Sequence, residues 1–375
     1  MKLKYAALGS IATITSGGTP DRKNSAYWNG NIPWIKTAQI QNKTIEIADI
    51  DEWITPLALK ESAVRMVAKG AILMAMYGQG RTRGQVAVLG VDATVNQACA
   101  VIKLEDGVDR DYVFQQLLYR YDMIRGLSNT GSQENLNAEL IREIAFPVPL
   151  IKEQRKIASL LACWDTASDN IERLVRAKSE VLAYMREYFI SENVAPSRKI
   201  RSVTKEIVRR NGGRLSRDAV MAVTKERGLR PMREETISAN LDRYKVVSPD
   251  SFAYNPMRLN IGSIAMSLLE QEALVSPDYV VFECDELKLL PGYLNHARFT
   301  RHWVKYFGAA GSGSVRVRIY YDDLAAFSMA IPSLDEQRRI LEFLDATANE
   351  ISVLNRYASA LRQQKRGLMM KLLDG

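Results

Sequence analysis

Pro149-Leu-Ile-Lys-Glu-Gln-Arg-Lys-Ile157 returns 183 residues later as Pro332-Ser-Leu-Asp-Glu-Gln-Arg-Arg-Ile340. Each copy closes a mixed, glycine-containing stretch and opens a run of about 40 residues with helical periodicity. The chain therefore reads as globular segment, long helix, globular segment, long helix. Proline is tolerated in the first turn of a helix and not in its interior, so Pro149 and Pro332 mark helix entries. Pro196-Ser197 and Gly375 mark the exits. The expected division is a first domain over 1–148, a central helical spacer over 149–195, a second domain over 196–331 and a distal helical spacer over 332–375.

The repeat also sets a register. With Ile157 as an "a" position, the seam is expected to run Ile157, Leu160, Trp164, Ala167, Ile171, Leu174, Lys178, Val181, Met185 and Tyr188, a 3–4 spacing. The equivalent row on the second helix is Ile340, Thr347, Leu354, Leu361 and Leu368, widened by Phe343, Leu344, Ile351, Tyr357 and Ala358. Wide apolar stripes bury against more than one neighbour. A helix of 40 residues is about 60 Å long, longer than a domain of ordinary size is wide. The two helices are therefore expected to separate domains and to pack antiparallel, so that the chain closes a pseudo-twofold arrangement. Lys178 is the charged residue of the first "a" row, and its repeat partner is Leu361.

Composition bounds the chemistry. The 375 residues suffice for two globular domains with connectors, and an apolar fraction of 47% suits an ordinary soluble chain. No apolar run is long enough to span a bilayer, and the N-terminus lacks a signal peptide's pattern, so a cytoplasmic location is expected. Cys99, Cys163 and Cys284 are far apart, and His296 and His302 are the only histidines; neither a zinc site nor a disulfide framework is legible. Lys and Arg number 51 against 43 acids, a net charge of +8, which suits a polyanionic partner.

Both globular segments follow one order of elements. In the first, strands over 71–77 and 85–89 flank the loop Gly78-Gln-Gly-Arg-Thr-Arg-Gly84, a helix spans 111–125, and a polar loop covers 129–135. In the second, strands over 251–254 and 262–266 flank Asn255-Pro-Met-Arg-Leu-Asn-Ile261, and a helix spans 291–305. A glycine-serine loop then leads into a strand over 315–320. Shared order with divergent loops is what two readers of different sequences would show. Asn255-Pro256-Met257-Arg258 is similar to the Asn-Pro-Pro-aromatic motif of adenine methyltransferases, but it lacks the second proline and the stacking aromatic. The loop 78–84 has neither the ending of a phosphate-binding loop nor Rossmann spacing. Asp51-Glu52 and Asp322-Asp323 read as solvated surface, and Trp28, Trp34 and Tyr254 as core.

Leu8-Gly-Ser-Ile, Ser16-Gly-Gly-Thr-Pro20, Gly30-Asn-Ile-Pro-Trp-Ile35, Asn96-Gln97 and the two Pro-x-x-x-Glu-Gln-Arg elements together resemble a specificity subunit of type I restriction-modification systems, over essentially the whole chain. The resemblance implies an α/β (α+β) architecture: two globular target recognition domains separated by two long antiparallel coiled-coil helices, with a pseudo-twofold internal repeat. It implies a host-defence protein that binds double-stranded DNA with a bipartite site and does no chemistry of its own. It further implies two modification subunits that methylate adenine at N6 with S-adenosylmethionine, and, in the full enzyme, restriction subunits that use ATP and magnesium. No cofactor or metal belongs to this chain. Glu153, Gln154, Arg155, Glu336, Gln337 and Arg338 head the helices that the partner subunits would clasp.

DNA contact requires polar side chains on loops that reach base edges, set among Lys and Arg that neutralise phosphate. The expected set in the first domain is Gln79, Arg81 and Arg83, with Lys36, Gln39 and Gln133 behind them. In the second it is Arg258, Asn260, Arg316 and Arg318, the last two alternating with Val315, Val317 and Ile319. A coiled-coil adaptor that binds only protein is the alternative, and salt-dependent binding to a particular bipartite duplex separates the two.

Overall fold

The computed structural model describes residues 5–78, 81–127, 135–225, 228–309 and 318–374. Two compact units emerge, Met1–Asn170 with Tyr357–Gly375, and Ile171–Arg356. Each combines a globular α/β portion with parts of both long helices, Ile151–Arg186 and Leu334–Leu373.

In the first unit a five-stranded sheet has the order Ala12–Ser16, Cys99–Leu104, Ile72–Ala75, Val86–Leu89, Thr44–Ile45; it is antiparallel except for the last pair. The period of two sorts its side chains onto two faces. Ile72, Met74, Val86, Val88 and Ile102 face a core with Tyr112, Val113, Leu117, Ile124 and Phe146. Leu73, Ala75, Ala87, Leu89 and Val101 face Ile35, Ile40, Ile45 and Val95. Both faces are covered, which is why these strands read as apolar runs without alternation. A second sheet has the order Trp53–Ile54, Trp28–Ile35, Ala93–Val95, Met66–Val67.

The second unit repeats the plan with an antiparallel sheet of order Thr204–Glu206, Val280–Cys284, Phe252–Tyr254, Ile264–Met266. Phe252, Tyr254, Ile264 and Phe282 face the helices, while Ala253, Ala265 and Val281 face Val223, Val247 and Val275. The expected single helices over 111–125 and 291–305 are each two shorter ones. Arg110–Tyr119 gives way to Tyr121–Leu127, and Pro291–Ala297 to Arg301–Ala309. In the second case Thr300 causes the break: its hydroxyl donates to the Ala297 carbonyl at 2.7 Å, and the Trp303 amide donates to that hydroxyl at 3.4 Å. The expected strand over 315–320 lies partly outside the described residues. Arg318 and Tyr320 are exposed about a buried Ile319, as the alternation suggests, but 318–320 are not in a strand. Instead the Tyr320 amide donates to the Asp323 carboxylate at 2.9 Å, so that Asp323, exposed as expected, also caps helix Tyr321–Ala325.

The long helices pack antiparallel within each unit. In the first, Ala158 and Leu161 share a core with Met369 and Leu373, and Lys365 Nζ reaches Asp165 Oδ1 at 2.6 Å. In the second, Leu182 packs with Ile340 and Leu344, and Lys178 Nζ reaches Glu350 Oε2 at 2.7 Å. The seam differs from the expected one. The "a" row is partly buried, but its companion lies four residues on: Leu161 and Leu182 are buried, whereas Leu160, Leu174, Val181 and Tyr188 are 44, 43, 53 and 54% exposed. Rows at i+3 and i+4 are both one turn away and differ only by rotation about the axis, so 3–4 spacing alone does not choose between them. Here each globular portion covers the i+4 side.

Candidate nucleic-acid interface

The Glu-Gln-Arg elements turn out to be clasps as well as helix starts. Gln154 is buried; its Nε2 donates to the Pro149 carbonyl and its Oε1 accepts from the Asp109 amide, both at 2.8 Å. Gln337, also buried, donates to the carbonyls of Pro332 and Lys288 at 2.9 Å and accepts from the Leu290 amide at 2.8 Å. Asp109 and Leu290 are the N-cap residues of equivalent helices, so each glutamine locks a long helix to its globular portion at the same place. Tyr112 and Tyr293 repeat this atom for atom, donating to the carbonyls of Pro147 and Ala330 at 2.8 and 3.4 Å. The flanking charges are exposed. Arg155 lies 3.8 Å from Asp109, Glu336 accepts from Asn193 at 3.2 Å, Arg338 pairs with Asp335 at 2.7 Å, and Glu153 faces solvent.

Above these clasps each unit presents a loop between equivalent strands. In the first, the loop joins Ile72–Ala75 to Val86–Leu89. Arg81 is exposed, and its carbonyl accepts the Tyr121 hydroxyl. Arg83 is half-buried. Gly84, at φ +83°, lies against Tyr121, Ile124 and Arg125 so closely that a Cβ would meet Arg125 Cγ at 3.2 Å, which suits glycine on both counts. The Leu136 amide donates to the Met76 carbonyl at 3.1 Å, bringing the chain after the polar loop back to this one. Gln79 and Gln133 lie outside the described residues.

The second unit has the same closure. The Ile319 amide donates to the Pro256 carbonyl at 3.0 Å, which sets Arg318 beside the loop that carries Arg258 and Asn260. Arg258 and Arg318 are exposed and Asn260 is half-buried; Arg316 lies outside the described residues. Residues distant in sequence are thus collected onto one loop cluster per unit.

Lys36 and Gln39 are placed differently from the loop arginines. Gln39 is buried, accepting from the Lys36 amide at 2.7 Å and donating to Asp51 Oδ1 at 2.8 Å and the Asp49 carbonyl at 3.1 Å. Lys36 Nζ reaches Glu52 at 2.6 Å and Asp51 at 3.0 Å, and Arg22 reaches Glu52 at 2.5 Å. The hydrogen bond to Glu52 raises the Lys36 pKa, and the one from Lys36 lowers that of Asp51. Asp51 is exposed, as a surface reading expects, while Glu52 is half-buried and paired to both Lys36 and Arg22. The Arg22 guanidinium also stacks 4.0 Å over Trp28 and 4.7 Å from Trp34. Trp34 and Tyr254 are buried, as expected of core aromatics, and Trp28 is half-buried.

A buried polar group beneath the second loop escaped the sequence reading. Arg186 Nε donates to His296 Nδ1 at 3.1 Å, and His296 Nε2 lies 2.8 Å from Asp345 Oδ1. Arg298 donates to the Ile264 carbonyl at 2.9 Å. Burial pulls Arg186 and Arg298 down to about 10 and lowers His296. In the first unit Gln115 takes the place of His296, donating to Asp165, which also holds Lys365. Among the described residues, no group of three or more His, Cys, Asp or Glu could hold a metal ion, and no helix is long and apolar enough to cross a membrane.

These features define a two-part scaffold with one basic loop cluster per unit. Residues 2–178, just under half of the chain, match the family described as "Type I restriction modification DNA specificity domain". The chain is 30% identical over 163 residues to the type I restriction enzyme MjaIX specificity subunit of Methanocaldococcus jannaschii, covering 43% of this chain and 37% of that one. To the EcoR124I/EcoR124II specificity subunit of Escherichia coli it is 24% identical over 192 residues, covering 50% and 47%. The matches thus span less than half the length of these curated relatives. The crystal structure of a type I system S subunit from M. genitalium shares the fold, with a TM-score of 0.63 at 11% identity over 100% of this chain and 97% of that one.

Proposed function

We infer that this chain reads a bipartite site on double-stranded DNA and does no chemistry itself. Its domains over 1–148 and 196–331 each take one half-site, and the helical spacers over 149–195 and 332–375 carry two N6-adenine methyltransferase subunits. Those subunits bring S-adenosylmethionine, and restriction subunits, where they join, bring ATP and magnesium. In the first domain Gln79, Arg81 and Arg83 contact the duplex, with Lys36, Gln39 and Gln133 behind them; in the second Arg258, Asn260, Arg316 and Arg318 do so. The exposed apolar residues of the helices, Leu160 in the first unit and Leu174, Val181, Tyr188 and Phe343 in the second, give partner subunits a surface to cover.

The observation that carries this reading is the pairing of equivalent clasps with unlike loops. Gln154 and Gln337 each tie a helix N-cap amide to the preceding proline carbonyl, while 76–85 and 255–263 share almost no side chains. A protein needing one binding surface twice would keep the loops alike. Exchange of residues 199–331 for the same segment of a relative, followed by mapping of methylated adenines in the host genome, tests it. One half of the methylated motif should change and the other persist. A change in both halves, or motif-independent methylation, would overturn the reading.

A further inference from the structure

The second unit contains an element that is not found among the described residues of the first. In each unit a chain segment runs parallel to an equivalent strand, with Ile35 beside Val95 in the first and Val220 beside Leu274 in the second. Beyond this point the first unit turns through the short helix Thr37–Gln39. The second instead forms a two-stranded antiparallel hairpin, Met221–Thr224 with Gly228–Pro231.

The strands of this hairpin pack against the loop cluster. The Ser263 hydroxyl donates to the Val223 carbonyl at 3.2 Å, and the Met232 amide to the Val220 carbonyl at 3.0 Å. Gly228, at φ +65°, comes close enough to Ala265 that a Cβ would lie 3.6 Å from the alanine's own, and the Lys225 methylenes lie at the same distance from the Cβ position of Gly262. Val223 faces the apolar core, with Leu229 packed against it. By the period of two, Ala222 and its cross-strand partner Arg230 lie on the opposite face.

The charges around the hairpin are divided by use. Arg209 and Arg214 are held by Glu272, and Arg217 is spent on Glu234 and the carbonyls of Ile237 and Ser238. Lys225 and Arg230 are exposed, and among the described residues their side chains make no hydrogen bond or ion pair. A two-stranded ribbon has the width that the major groove of B-DNA admits. Arg230 stands opposite a one-carbon side chain, so its guanidinium can approach a base edge without a bulky neighbour in the way.

We propose that the hairpin enters the major groove of the half-site read by the second unit, with Arg230 reading a guanine edge and Lys225 contacting phosphate beside the loop 255–262. The proposal rests on the reading of the chain as a DNA specificity subunit. It adds an element that makes the second half-site depend on contacts with no counterpart in the first.

The test is selection from a random duplex library by the full chain in its native complex, for wild type, Arg230→Ala, Arg230→Lys and Lys225→Ala, with unfolding curves confirming that each variant folds. Arg230→Ala should make one guanine of one half-site degenerate, with discrimination there falling about 5- to 150-fold, and leave the other half-site intact. Arg230→Lys should resemble it, because lysine cannot make the paired contact. Lys225→Ala should weaken all sequences alike and reduce the salt slope by about 1. Unchanged motif and affinity in all three variants would overturn the hairpin's role while the wild-type motif stood, and uniform weakening by Arg230→Ala would overturn base reading. A wild-type complex that selects no sequence would instead overturn the underlying function.

Discussion

Replacement of Gln337 by alanine should loosen the second unit out of proportion to the size of the change. Its amide makes three hydrogen bonds in a site closed to water, to the Leu290 amide and the carbonyls of Lys288 and Pro332. Each such bond is worth about 1 kcal/mol net, and an orphaned buried partner costs at least as much. Loss of all three should therefore cost about 3 kcal/mol. For a unit of this size that is a fall of about 6–12 °C in midpoint, and about a hundredfold loss of amide-exchange protection in its core if exchange is limited by unit opening. Gln154→Ala removes two bonds and should cost about 2 kcal/mol in the first unit. Arg338→Ala is the control: its pair with Asp335 joins side chains that are 60 and 83% exposed, and it should cost about 0.5 kcal/mol or less. Thermal unfolding with hydrogen exchange resolved by unit measures all three. If Gln337→Ala were no worse than Arg338→Ala, the glutamine would not be the clasp, and the repeated motif would need another explanation.

The seam register predicts that Leu182→Ala costs about 2–5 kcal/mol and its exposed neighbour Val181→Ala about 0.5 or less; equal effects in denaturant melts would restore the a/d assignment. His296 accepts a hydrogen bond from Arg186, faces Asp345 and lies near Arg298, with its pKa depressed chiefly by burial. The unfolded chain then takes up the proton first, so the second unit should lose stability as pH falls below about 6.5 and continue to do so until the folded-state pKa is passed. His296→Gln, which copies Gln115 of the first unit, should flatten that slope in pH-dependent melts. Arg81→Ala and Arg258→Ala should each affect one half-site only, in a duplex panel in which the half-sites are scrambled separately; an effect of either on both halves would contradict the division of labour.

The two-part organisation was legible because it was written twice. A nine-residue element recurring before two helical runs needs no tertiary information, and prolines can enter a helix only near its start. The apolar strands and the flanked loops were legible for a related reason, since sheets buried on both faces leave short unbroken hydrophobic runs. The roles of individual polar residues were not. Gln154 and Gln337 look like surface residues of an amphipathic helix until the N-cap amides of Asp109 and Leu290 arrive from 45 and 47 residues away. Glu52 looks solvated until Lys36 and Arg22 reach it. The seam could not be placed either, because the choice between i+3 and i+4 rows depends on which side the globular portions cover. Periodicity is a property of the chain, whereas satisfying a buried donor or carboxylate is a property of whatever the fold brings beside it.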